Sequence, residues 1–201
     1  MKKIIFFTLF SLSLFAQGGA YFGASYGAYN EAFTKGNGES TTTNSMSLKV
    51  GYGVRSAYAV EFNIEKTNNI STSLTDASNN NIDIIANSKL GMNLSLVKAF
   101  DPGIYLLPFV KAGFGAGKIS VVAIGKDLQG ADKNVDKLNY GSFNIGLGFL
   151  IPLGENFDVE VVYDYKYLTY ENLDASTTSQ EKGSEFESHV NTTYMGINYR
   201  F

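Results

Sequence analysis

The sequence predicts an all-β protein: an eight-stranded antiparallel up-and-down β-barrel that is transmembrane and crosses on its strands. Three observations carry that expectation. Eight segments alternate apolar and polar residues with a period of two. The mid-strand charges fall on the polar parity, together with most of the glycines. The connections between segments alternate long and short.

The chain has 201 residues, a length that suits one domain. Its 21 glycines and 13 tyrosines, against 3 prolines, favour sheet over helix. The net charge of -3 shows no basic excess, so no nucleic-acid partner is expected. Cysteine is absent, which removes disulfides, a thiolate nucleophile, a Cys-containing zinc site and the acylated cysteine of a lipoprotein.

The N-terminus carries the three parts of a secretory signal peptide. Lys2 and Lys3 are the positive region, Ile4 to Phe15 the apolar core, and Ala16-Gln17-Gly18 an acceptable cleavage site. The apolar core falls short of the ~20 residues that a spanning helix requires. Residues 1–18 are therefore assigned to the signal, with cleavage between 16 and 20, and residues 19–201 to the barrel.

The first predicted strand, Ala20–Tyr29, sets Phe22, Ala24, Tyr26 and Ala28 against Gly23, Ser25 and Gly27. The second, Asn44–Val54, opposes Met46, Leu48, Val50 and Tyr52 to Ser45, Ser47, Lys49 and Gly51. The third, Ala57–Lys66, opposes Tyr58, Val60, Phe62 and Ile64 to Ala59, Glu61, Asn63 and Glu65. In the fourth, Asp83–Lys98, Leu90, Met92, Leu94 and Leu96 oppose Lys89, Gly91, Asn93 and Ser95. The fifth, Ile104–Lys118, sets Leu106, Val110, Ala112 and Phe114 against Lys111, Gly113 and Gly115, but Tyr105, Leu107 and Phe109 make its start apolar on both faces. The sixth, Leu138–Ile151, opposes Phe143, Ile145, Leu147 and Phe149 to Asn144, Gly146 and Gly148. The seventh, Phe157–Tyr170, opposes Val159, Val161, Tyr163, Tyr165 and Tyr167 to Asp158, Glu160, Asp164 and Lys166. The eighth, Ser188–Phe201, opposes Met195, Ile197, Tyr199 and Phe201 to Thr192, Tyr194, Gly196, Asn198 and Arg200.

A soluble sandwich shows the same alternation with its faces exchanged, so other features decide. The segments match the about 9–11 tilted residues that cross a bilayer and exceed the about 5–6 usual in soluble strands. Long connections are expected at Asn30–Thr43, Thr67–Ile82, Ile119–Lys137 and Glu171–Glu187, and short ones at Arg55-Ser56, Asp101-Pro102-Gly103 and Pro152–Asn156. That pattern fits an outer-membrane barrel with loops outside the cell and turns in the periplasm. Aromatics on the apolar parity lie near strand ends, as at Phe22, Tyr52, Tyr58, Phe157, Tyr167 and Tyr199, where interfacial girdles sit. Lipid cannot hydrogen-bond a sheet edge, so the first and last strands must pair.

Tyr21-Phe22-Gly23-Ala24, the run Pro108 to Gly115, and the terminal Gly196-Ile197-Asn198-Tyr199-Arg200-Phe201 resemble the small eight-stranded outer-membrane proteins: the OmpA transmembrane domain, OmpX-like proteins and the opacity-type porin family. The resemblance implies an integral protein of the Gram-negative outer membrane, in contact with membrane lipid and lipopolysaccharide. It also implies periplasmic chaperones and the barrel-assembly machinery as partners during biogenesis. Phe201, with Tyr199 and Ile197 two and four positions back, resembles the signal that machinery reads. Four surface loops leave two readings open: contact with a host or cell-surface ligand, or a part in envelope integrity with no specific ligand.

The inward charges are the main candidate functional residues: Lys49, Glu61, Lys89, Lys111, Glu160, Asp164 and Arg200. Lys49 and Glu61, each about five residues from the Arg55-Ser56 turn, are expected at similar depth, and Lys111 and Glu160 at comparable heights. Two readings stay open. The charges can form a paired structural plug, since an eight-stranded barrel is just wide enough for side chains to fill it, or they can gate a narrow small-solute channel. Catalysis is not expected, although lipid-modifying barrel enzymes exist. The single histidine, His189, adjoins Ser188, but neighbouring strand residues point to opposite faces. No catalytic residue, metal or cofactor is expected. The overall expectation is a non-enzymatic surface protein.

Overall fold

The computed structural model describes residues 18–34, 40–75, 81–125, 135–170 and 186–201. The predicted signal therefore lies outside the described residues, Gly18 excepted. So do the central parts of the four predicted long connections.

Eight strands run in chain order: β1 (Gly19–Phe33), β2 (Ser40–Gly53), β3 (Tyr58–Thr75), β4 (Asn81–Ala99), β5 (Leu107–Gly125), β6 (Val135–Leu153), β7 (Phe157–Tyr170) and β8 (Phe186–Arg200). Each pairs antiparallel with the next, and β1 pairs with β8, closing the barrel. No sheet edge is left for lipid to meet.

The strands run further toward the long connections than the alternation indicates. Ser40–Thr43, predicted as loop, pair with β1, and Ser71 pairs with Ile85 well beyond the predicted end of the third strand. A backbone ladder needs no alternation, and beyond the lipid both faces of a strand can be polar. At the short-turn end the fifth strand starts at Leu107 rather than Ile104, because Ile104 and Tyr105 are exposed in the turn. The chain leaves β8 at Arg200, so Phe201 follows the strand, its N–H donating to the Ala20 carbonyl at 3.0 Å. Gly103 and Gly154 take positive φ of 78° and 83° in the short turns, a conformation that glycine adopts without a Cβ clash.

One row of paired residues gives the stagger. From Gly23 it passes through Lys49, Asn63, Asn93, Gly115, Ser142, Leu168 and Ser188, and returns to β1 at Phe33, ten residues further along. For eight strands this shear requires a tilt of about 40°. Residues far apart in the unrolled sheet are thereby brought to the same depth.

The two faces of each strand differ sharply. Leu48 is 66% exposed and its neighbour Lys49 only 5%. Leu90, Met92, Leu94 and Leu96 point outward, as do Ile145, Leu147 and Phe149. Phe22, Phe157, Tyr199 and Phe201 form an aromatic cluster at the short-turn end, with Phe157 and Tyr199 centroids 5.1 Å apart.

The inner face is not uniformly polar. Leu107 and Phe109 point inward and pack with Tyr21, Ala59, Val97, Leu150 and Val162 in an apolar cluster. A second cluster near the long connections holds Tyr29, Ile119, Tyr140, Leu168, Tyr170 and Val190. Some of these rings occupy space vacated by glycine on the paired strand. Tyr21 lies against Gly51, where a Cβ would sit 2.2 Å from the ring, and Tyr140 against Gly117, where it would sit 2.4 Å away.

Candidate functional site

The lumen holds charged residues in successive layers. At the short-turn end Asp158 accepts a hydrogen bond from Arg200 Nε at 2.7 Å, and Arg55 Nε lies 3.0 Å from its other oxygen. Arg55 also donates to the carbonyls of Gly154 and Glu155 at 3.0 and 2.6 Å, tying the first short turn to the third. The Arg200 guanidinium sits 4.5 Å from the centre of the Tyr21 ring.

The next layer centres on Lys49. Its ammonium pairs with Glu160 and lies 3.3 Å from Glu61. Tyr21 donates to Glu61 at 3.2 Å, and Asn198 donates to Glu160 at 3.2 Å. Beside it, Lys111 pairs with Asp164 at 3.0 Å and donates to the Tyr194 hydroxyl at 2.6 Å. Further along, Lys166 pairs with Glu65.

Toward the long connections Lys89 and Glu31 pair at 2.8 Å. Lys89 also donates to the hydroxyls of Tyr29 and Tyr170 at 2.7 and 2.8 Å. Glu31 accepts from Tyr29, Tyr170 and Ser188 at 2.9, 2.5 and 2.6 Å. The ammonium also lies 4.8 Å from the centre of the Tyr140 ring.

All seven charges singled out in the sequence are buried on the inner face. They do not form one network among themselves. Lys49, Glu61 and Glu160 meet, and Lys111 meets Asp164, whereas Arg200 and Lys89 are answered by Asp158 and Glu31. Lys111 pairs with Asp164 rather than Glu160, and Glu160 is drawn to Lys49 across the barrel. Glu31 lies two residues beyond Tyr29, where the predicted first strand ends. Continuing its inward parity by one step, from Tyr29 to Glu31, finds it. Glu65, Asp158 and Lys166 share the inward parity of the seven predicted charges and join their pairs, and Arg55, in the predicted short turn, reaches Asp158 from the barrel mouth. Six cations and six carboxylates take part in these pairs, so the described ion pairs balance. Cavities lined by these side chains measure about 20 and 10 Å³, the size of a water or two.

His189 lies on the outer face of β8 near the long connections, its Nδ1 2.6 Å from the Tyr165 hydroxyl and its ring beside Tyr167. Ser188 points the other way, to Glu31 inside the barrel. The two do not meet as nucleophile and base.

The model of the outer membrane protein beta-barrel domain matches residues 4–201. The chain belongs to that family. It is therefore an outer-membrane β-barrel, and its apolar outer face meets the lipid of that membrane. Solved structures agree on the fold. The chain is similar to the Neisserial surface protein A, with 15% identity, 90% of this chain and 97% of that one covered, and a TM-score of 0.58. It is similar to OprG of Pseudomonas aeruginosa, with 15% identity, 91% and 96% coverage and a TM-score of 0.52. It is also similar to Ail, the attachment invasion locus protein of Yersinia pestis, with 16% identity, 90% and 99% coverage and a TM-score of 0.51. No curated protein matches the sequence.

Proposed function

We propose that this outer-membrane barrel is a non-enzymatic surface protein with a closed interior. It holds the four connections β1–β2, β3–β4, β5–β6 and β7–β8 outside the cell, where they contact a host or cell-surface ligand. The three short turns face the periplasm. Export follows the N-terminal signal, and the assembly machinery reads the outward Ile197, Tyr199 and Phe201 at the chain end.

The observation that carries this reading is the filled lumen. Paired charges and two apolar clusters occupy the bore, and the cavities of about 20 and 10 Å³ between them are too small for a hydrated ion. Opening a path means separating buried pairs, each of which then faces a large desolvation cost. Function in such a design resides on loops held by a rigid scaffold.

Single-channel recording in planar bilayers tests the closed interior. The refolded protein is expected to give no steady unitary current, and reproducible ohmic openings would establish the narrow channel instead. Protease treatment of intact cells tests the surface role. Cleavage within residues 34–39 and 171–185 is expected, and protection of both would overturn the orientation.

A further inference from the structure

We infer that the outer surface of β3–β6, just above the apolar band, binds the phosphorylated headgroup of an outer-leaflet lipid. The inference rests on the orientation proposed above and is independent of whether the lumen conducts.

Two rows of paired residues define the site. Lys66 on β3, Leu90 on β4, Lys118 on β5 and Asn139 on β6 form the first. Asn68, Ser88, Ser120 and Lys137 form the second, one step further toward the long connections. These residues share the outward parity, and Lys66, Lys118 and Lys137 are exposed. Lys66 and Lys118 flank Leu90 at two strand spacings, about 10 Å. Lys118 and Lys137 are diagonal neighbours about 7–8 Å apart. No carboxylate faces outward on β3–β6 among the residues whose side chains are described. Three cations with hydroxyls and amides between them therefore stand together with no outward carboxylate beside them among the described residues.

The surface below fits the rest of a lipid. Met92, Ala116 and Gly141 make the next row toward the membrane. Ala116 and Gly141 leave a shelf, since a Cβ at Gly141 would touch nothing within 4 Å. Phe114 and Phe143, centroids 5.5 Å apart, form its floor. A phosphate can engage the lysines while its acyl chains lie along this apolar surface. The site is also one-sided. On β7 and β8 the corresponding surface carries Tyr163, Tyr165, Tyr167, His189 and Asn191, with no outward lysine among the described residues. A general solubilising ring of positive charge would surround the barrel, whereas the outward lysines at this height occupy a single sector among the described residues. The position at the lipid boundary favours a membrane lipid over a soluble anion.

The test uses the full refolded barrel and the Lys66→Gln/Lys118→Gln/Lys137→Gln variant. Both are placed in phosphatidylcholine nanodiscs containing either bisphosphorylated or dephosphorylated lipid A, and retained lipid A is measured by native mass spectrometry. The native barrel is expected to retain the phosphorylated form selectively. The triple variant should lose about a hundredfold in affinity, as three near-surface cations would supply. Lys98→Gln at the opposite end of the lipid band should bind as the native protein does. Heat-shifted gel migration confirms that each variant is folded. Equal retention of the two lipid forms, or unchanged retention by the folded triple variant, would overturn the proposal. So would inorganic phosphate or a soluble sulfated polysaccharide that displaced the lipid at comparable affinity, since the ligand would then be a soluble anion.

Discussion

The inner and outer faces of the same strands follow different rules. Outside, Leu94 and its neighbours need only be apolar, because lipid moulds itself to whatever shape they present. Inside, neighbours are fixed: Tyr21 needs Gly51, Lys49 needs Glu160, and Lys89 needs Glu31. One face is tolerant in shape and intolerant of charge. The other is intolerant of any change that leaves a charge without its partner. Specificity in this barrel is therefore concentrated within the lumen.

The largest effect should come from Glu31→Ala. Glu31 is the only carboxylate paired with Lys89 among the described residues, and Glu65, which lines the same cavity, is held by Lys166, so the variant leaves an ammonium buried beneath tyrosines and should lose about 3–5 kcal/mol. Equilibrium unfolding in urea, followed by circular dichroism since the chain has no tryptophan, measures it. A loss below about 1 kcal/mol would show that the loop-end layer is open to water.

Leu94→Arg should come next. It places a charge in the middle of the outer apolar surface and should lose about 2–4 kcal/mol, whereas Leu94→Ala should lose about 0.5 kcal/mol or less because lipid fills the space. If the two variants are equally stable in bilayers, that surface does not face lipid.

Glu61→Ala should be milder than Glu31→Ala, about 1–3 kcal/mol, because Lys49 keeps Glu160. Lys49→Ala should cost more than Glu61→Ala, since it leaves two carboxylates together. Adding Lys49→Ala to Glu61→Ala should therefore not restore stability, as a simple two-residue pair would predict.

Deleting Phe201 should change stability least, by no more than about 1.5 kcal/mol, since the residue is 74% exposed and lies beyond β8. Its effect should appear in cells as precursor left in the periplasm. Normal insertion of the shortened chain would remove the assembly role.

The strands were legible where lipid enforces alternation. From Leu90 to Leu96 every second residue is apolar, and register and facing follow directly. They were illegible where lipid ends. Ser40-Thr41-Thr42-Thr43 is polar at every position, yet it continues the ladder. The ambiguous start of the fifth strand reflects a real feature, because Leu107 and Phe109 fill the bore while Val110 faces lipid. Inward charges could be read from parity, but their partners could not. Lys49 and Glu160 are 111 residues apart in sequence and on non-adjacent strands, and only closure with a ten-residue stagger brings them together.

A double-mutant cycle on Lys49 and Glu160 tests the filled, paired lumen most directly. Stability is measured for native protein, Lys49→Ala, Glu160→Ala and the double variant in the same lipid. A coupling of about 2–3 kcal/mol is predicted, as for buried charges in direct contact. Additivity within about 0.5 kcal/mol would mean that the two side chains are separately hydrated, and that the lumen is a water-filled passage rather than a plug.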